Sequence, residues 1–97
     1  MNQVVLEARV TERSALRYTP AGLPALDLLL SHESTVTEAG APRKVRMDLK
    51  AVVIGTLAEQ LSRVEMGSAH RFAGFLASQR NGRGVVLHIT SLPQCIV

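Results

Sequence analysis

Apolar residues recur at every second position along five separate stretches of this chain, the spacing of half-buried β-strands. Val4, Leu6, Ala8 and Val10 alternate with Glu7 and Arg9, which predicts a first strand over about Gln3–Thr11. Leu26, Leu28 and Leu30 share one face of a second strand, about Ala25–Ser34. Between them, Pro20, Gly22 and Pro24 stop any regular element. The two strands therefore read as a long hairpin with a structured tip carrying Arg17 and Tyr18. The polar connection Thr37-Glu38-Ala39-Gly40-Ala41-Pro42 reads as irregular. In the third strand, about Arg43–Ile54, Val45, Met47 and Leu49 point one way and Lys44, Arg46, Asp48 and Lys50 the other. Its end, Ala51–Ile54, is apolar on both faces, as when a strand is covered by a helix or a second protomer.

The period then changes. Leu57, Leu61 and Val64 fall at helical spacing, and Thr56 with Glu59 has the pattern of a capping box, which predicts a short helix over Thr56–Val64 closed by Gly67. A fourth strand, about Ala69–Ser78, and a fifth, about Val85–Ser91, flank Arg80-Asn81-Gly82-Arg83-Gly84, where Asn-Gly signals a tight hairpin. Three strands, one helix and two strands is the order of the OB-fold, a five-stranded all-β barrel. The 97 residues are read as one such domain with its short helix between the third and fourth strands.

Charge adds a direction to this picture. The chain carries 11 Lys and Arg against 8 Asp and Glu, a net of +3. The distribution is uneven: residues 1–38 hold three Arg and five acids, net −2, whereas residues 39–97 hold eight basic and three acidic residues, net +5. That asymmetry points modestly to a polyanionic partner. The single cysteine, Cys95, makes no disulfide framework or cysteine-based zinc site. Glu7 interrupts what a signal peptide would need, and no stretch approaches membrane-spanning length, so a cytoplasmic protein without a membrane contact is expected. Val5, Phe75 and the Ala51–Ile54 run leave apolar surface to cover, which predicts a homodimer.

Three basic elements fall where an OB-fold meets its ligand. Lys44, Arg46 and Lys50 project from one face of the third strand, with Arg43 at its entrance. Same-face residues lie about 7 Å apart, near the phosphate spacing of an extended single strand. A solvated outer face also reads polar, and the fold favours the nucleic-acid track over it. Arg80 and Arg83 flank the hairpin between the fourth and fifth strands, and Arg17 and Tyr18, with Arg13 nearby, occupy the other ligand-facing loop. Tyr18 is a candidate stacking platform or a turn tyrosine lying across the barrel mouth. Of Phe72 and Phe75, on opposite faces of one strand, Phe72 is read as core and Phe75 as a surface or dimer contact. His32, His70 and His88 lie in three strands without metal-ligand spacing and read as satisfied sheet histidines. No Walker loop, paired carboxylates or nucleophile triad occurs, so neither an enzyme nor a cofactor is expected.

Leu16-Arg17, Pro20-Ala21-Gly22-Leu23-Pro24, His32 before Ser34, Glu38-Ala39-Gly40, Arg43, Gly55, Gly67, Gly74-Phe75, Asn81-Gly82 and Val86-Leu87-His88 occur in collinear order. By these residues the chain resembles the primosomal replication protein N (PriB) family over nearly its whole length. The resemblance implies a homodimeric OB-fold that binds single-stranded DNA without catalysis. It also implies contacts with the restart helicase and a primosomal loading protein in the replication-restart primosome. Better-known members place a stacking tryptophan on the third strand where this chain has Arg46, and an arginine where it has Glu33. Their lysine-rich hairpin is shortened here to Arg80-Asn81-Gly82-Arg83. General single-stranded-DNA-binding proteins, with their acidic tails and aromatic-lined grooves, are a second resemblance. A protein–protein adaptor is the alternative from a different class.

Overall fold

Leu26, Leu28 and Leu30 alternate with more exposed neighbours, and each is at least 96 % buried. In the computed structural model, which describes residues 1–80 and 82–95 and the side chains of 1–80 and 82–92, they form the spine of a closed barrel. The elements are β1 (Val4–Arg13), β2 (Arg17–Tyr18), β3 (Pro24–Glu38), β4 (Ala41–Ile54), α1 (Thr56–Leu61), β5 (Ala69–Ser78) and β6 (Val85–Cys95). The five long strands neighbour one another in the order β1-β5-β6-β4-β3, and β3 returns to β1 to close the ring. The pairings are antiparallel except β4 with β6. This is the OB-fold read from the strand order, with two-residue β2 added at the hairpin tip, where Arg17 and Tyr18 pair with Ala25 and Pro24.

The inward face of β1 supplies Ala8 and Val10, β4 supplies Ala51 and Val53, and Phe72, Leu87 and Ile89 complete the core. α1 plugs one end of the barrel with Ala58 and Leu61, both fully buried. Phe72 is buried and Phe75 exposed, as the strand parity predicts. β5 and β6 approach so closely at Gly74 that a Cβ there would stand 1.8 Å from the His88 carbonyl oxygen. Only glycine fits without moving backbone.

The helix begins differently from its expected cap. Thr56 is already helical; the N-cap is Gly55 at φ 104°, and no side chain caps it, so the Thr56–Glu59 box does not form. The chain must leave β4 in a left-handed conformation that favours glycine, and the Gly55 N–H donates to the Pro24 carbonyl at 2.8 Å. The helix also stops at Leu61 instead of Val64, in a turn whose Leu61 and Val64 carbonyls accept from Arg13. The Leu61 carbonyl is one that the end of a helix leaves without an intrahelical donor.

The connection expected to be irregular is instead a tight hairpin. β3 and β4 pair without interruption from Ala25↔Ile54 to Glu38↔Ala41, and Ala39 (φ 52°) and Gly40 (φ 79°) make a two-residue turn. Positive φ at both central residues matches the twist of the flanking strands. β1 leaves β3 beyond Ser31, and among the described residues β6 pairs with β4 only at Ala51 and Val52. The distal part of β3–β4 therefore projects as a ribbon. On the face shared by Val45, Met47 and Leu49, Met47 is 40 % exposed and Val45 only half buried. No third layer reaches that far to cover them.

Candidate nucleic-acid interface

The barrel carries a groove of about 990 Å³ on its outer face, between the β1–β3 tip, the C-terminal end of β4 and the β5–β6 hairpin. Arg17, Tyr18, Lys50 and Arg80 line it together, joined by Arg13 and His88 and by the acids Glu12 and Asp27. Its floor includes Leu28, Leu29, Ala51 and Val52. Each basic side chain is there for a local reason. Lys50 follows the outward parity of β4, opposite Leu29. Arg17 is fixed by β2 pairing, and Tyr18, 64 % exposed, stands next to it at the tip. Arg80 leaves β5 just beyond its last residue, Ser78, at the turn where Gly82 N–H donates to the Gln79 carbonyl at 2.8 Å. Asn81, half of the expected Asn-Gly turn, lies outside the described residues.

Arg17 does not stand free in the groove. Its Nε and Nη2 donate to the two carboxylate oxygens of Asp27, each at 3.1 Å. That hydrogen bonding and the attraction of the carboxylate raise the Arg17 pKa above its usual value. The pair is about half exposed, so it orients more than it stabilises.

The other expected cations are divided. Lys44, Arg46 and Lys50 do share a face of β4, but only Lys50 reaches the groove; Lys44 and Arg46 lie along the projecting ribbon. Arg46 pairs with Glu33, its cross-strand partner, at 3.4 Å. Arg43 is not at a strand entrance, since β4 begins at Ala41, and by parity it faces away from Lys44. It pairs with Glu38 at 3.1 Å. Arg83 is exposed at the hairpin tip outside the groove lining. Thus Arg17, Arg43 and Arg46 are each already bound to a carboxylate, whereas Lys44, Lys50 and Arg80 make no ion pair among the described residues.

The histidines are held by specific partners. His32 Nδ1 lies 2.6 Å from the Glu7 carbonyl and so must donate, and its Nε2 lies 2.8 Å from Ser34 Oγ. His70 is buried beside Ser68, 2.7 Å away, with its ring edge-on to Phe72. His88 stacks flat on Phe75, centroids 4.8 Å apart at 6°. Among the described residues no group of three His, Cys, Asp or Glu side chains is placed to hold a metal, and no helix is long and apolar enough to cross a membrane. His88 and Asp27 are groove residues that sequence reading missed. Their outward parity against Leu87 and Ile89, and against Leu26 and Leu28, was the available signal.

Residues 2–91 match the model of a family described as "another single-strand binding protein family". Replication restart protein PriB of Bordetella pertussis is 49 % identical over 90 residues, covering 92 % of this chain and 84 % of that protein. The chain belongs to the PriB family. PriB from Ralstonia solanacearum superposes with a TM-score of 0.87 at 36 % identity, covering 97 % of both chains. The single-stranded DNA binding protein from Thermus aquaticus matches with a TM-score of 0.75 at 29 % identity, over 99 % of this chain and 50 % of that one. The resemblance read from scattered glycines and the Pro20–Pro24 turn is therefore a true family relationship. Within the PriB family this chain offers two exposed aromatics, Tyr18 and Phe75.

Proposed function

We propose that this chain is a non-catalytic single-stranded-DNA-binding accessory of replication restart, acting as a homodimer that bridges DNA and the restart helicase. Its membership in the PriB family supports the process, and the groove that gathers Arg17, Tyr18, Lys50 and Arg80 supports the binding. That convergence carries the reading: four contributors from three separate elements line one groove. Phosphate contacts would dominate the affinity, because the chain has no tryptophan. Among the described residues no strand pairs with one edge of β1 from Val4 to Ala8, where the His32 side chain bonds the Glu7 carbonyl, and this supports a second copy as the cover. The bridging role and the loading protein as a further partner rest on family membership alone.

The test is titration of a labelled oligonucleotide across ionic strength. Affinity should fall with a slope near −0.7 per phosphate contact in log–log form. Saturable binding of the helicase together with no detectable oligonucleotide binding at low salt would instead favour a protein–protein adaptor.

A further inference from the structure

Cross-strand pairing sets four side chains in one row across the barrel, and an ion pair adds a fifth. Phe75 of β5 pairs with His88 of β6, His88 with Val52 of β4, and Val52 with Asp27 of β3, whose carboxylate holds Arg17. Partners in register project from the same face, so the row spans three inter-strand spacings, roughly 14 Å. The part from His88 to Arg17 lies in the groove already described. Phe75 continues it one strand further. It is 39 % exposed, and its ring is held parallel to the His88 ring.

The backbone is shaped to present this pair. Register shifts break the β5–β6 ladder on either side of Ala73, and Gly74 lets the two strands close to a distance that no Cβ tolerates. The next residue is Phe75, directly opposite His88. Beside it the outer face carries Ala73 and Ala77, side chains too small to shade a ring. An aromatic face is thus fixed, flat and partly open at the end of a channel whose other end is cationic.

Resting on the proposed binding of single-stranded DNA, we infer that Phe75, backed by the His88 ring, is a platform on which one unpaired base stacks, against the Phe75 face turned away from His88 at the end of the row opposite Arg17. A π-face accepts any base, so the site adds affinity without sequence preference. It supplies a ring beside β4, a strand that carries no aromatic residue of its own. Stacking requires no displaced counterion, so the contribution of Phe75 is independent of salt.

The test uses the full chain with Phe75→Leu, which keeps an apolar side chain and removes the ring. Oligonucleotide affinity should fall at least about five-fold, the lower bound of stacking on one base, with the salt slope unchanged. Because the parent has no tryptophan, Phe75→Trp supplies a single reporter, whose emission should be quenched on oligonucleotide addition and whose affinity should match or exceed the parent's. If the parent binds and Phe75→Leu binds equally well, the platform is wrong while the groove stands. If the parent itself does not bind, the proposed function is what fails. A changed sedimentation coefficient with unchanged DNA affinity would assign Phe75 to the contact between copies and overturn the platform.

Discussion

Arg17 and Asp27 face each other at the tip of the groove, joined by two hydrogen bonds of 3.1 Å. A phosphate arriving there must displace a carboxylate that already occupies the guanidinium fork. Asp27 thus masks the basic residue most firmly positioned for a ligand. Asp27→Asn should strengthen oligonucleotide binding several-fold and steepen the salt slope by about 0.7, one more released counterion. Thermal stability should change little, because the pair is half exposed and its backbone bonds to Ser14 remain. Weaker binding by Asp27→Asn in the same titration would rule out a masking role.

The cations should separate into two classes by what they already touch. Lys50→Ala and Arg80→Ala remove groove charges with no acidic partner among the described residues, and each should flatten the slope by about 0.7. Arg46→Ala should do less, since Glu33 already neutralises that position and the ribbon stands outside the groove. Equal losses at all three positions would show that the ribbon belongs to the binding track.

Gly74→Ala tests the close approach of β5 and β6. Its Cβ would lie 1.8 Å from the His88 carbonyl oxygen, and backbone offers no easy retreat. A cost of about 1–3 kcal/mol is expected. In a domain of this size that lowers Tm by roughly 4–8 °C per kcal/mol, measurable by thermal unfolding. An unshifted melt would mean that the strands separate there freely.

Sedimentation at micromolar concentration should give about twice the 10.5 kDa of one chain. The open edge of β1 and Val5, 55 % exposed at its start, are the surface a second copy would cover. A mass of one chain under those conditions would remove the dimer from the proposed function.

What was legible in the chain was whatever depends on local period. Leu26, Leu28 and Leu30 announce their strand because each inward position is apolar, and Phe72 against Phe75 follows from parity alone. The Ala39-Gly40 turn was hidden because Ala39 at φ 52° is an unusual tenant, and polar residues on a projecting ribbon look like loop. The Thr56 cap failed because Gly55 satisfies the helix start from the strand side. The candidate site was half legible. Which residues were basic and near the ligand-facing loops could be read. That Arg17, Arg43 and Arg46 each meet a carboxylate depends on register between strands or on a turn not foreseen, which composition does not carry.

Among the described residues the ring of strands is joined between β4 and β6 by two residue pairs, Ala51↔Leu87 and Val52↔His88. This is the least-paired seam of the ring, and the Phe75–Arg17 row runs straight across it. A strand of nucleic acid lying along that row would act as a suture. Bound DNA should therefore slow amide hydrogen exchange at Val52 and His88 more than in the long β3–β4 ladder, and raise the melting temperature with ligand concentration. Holding the ligand and holding the barrel shut become one event.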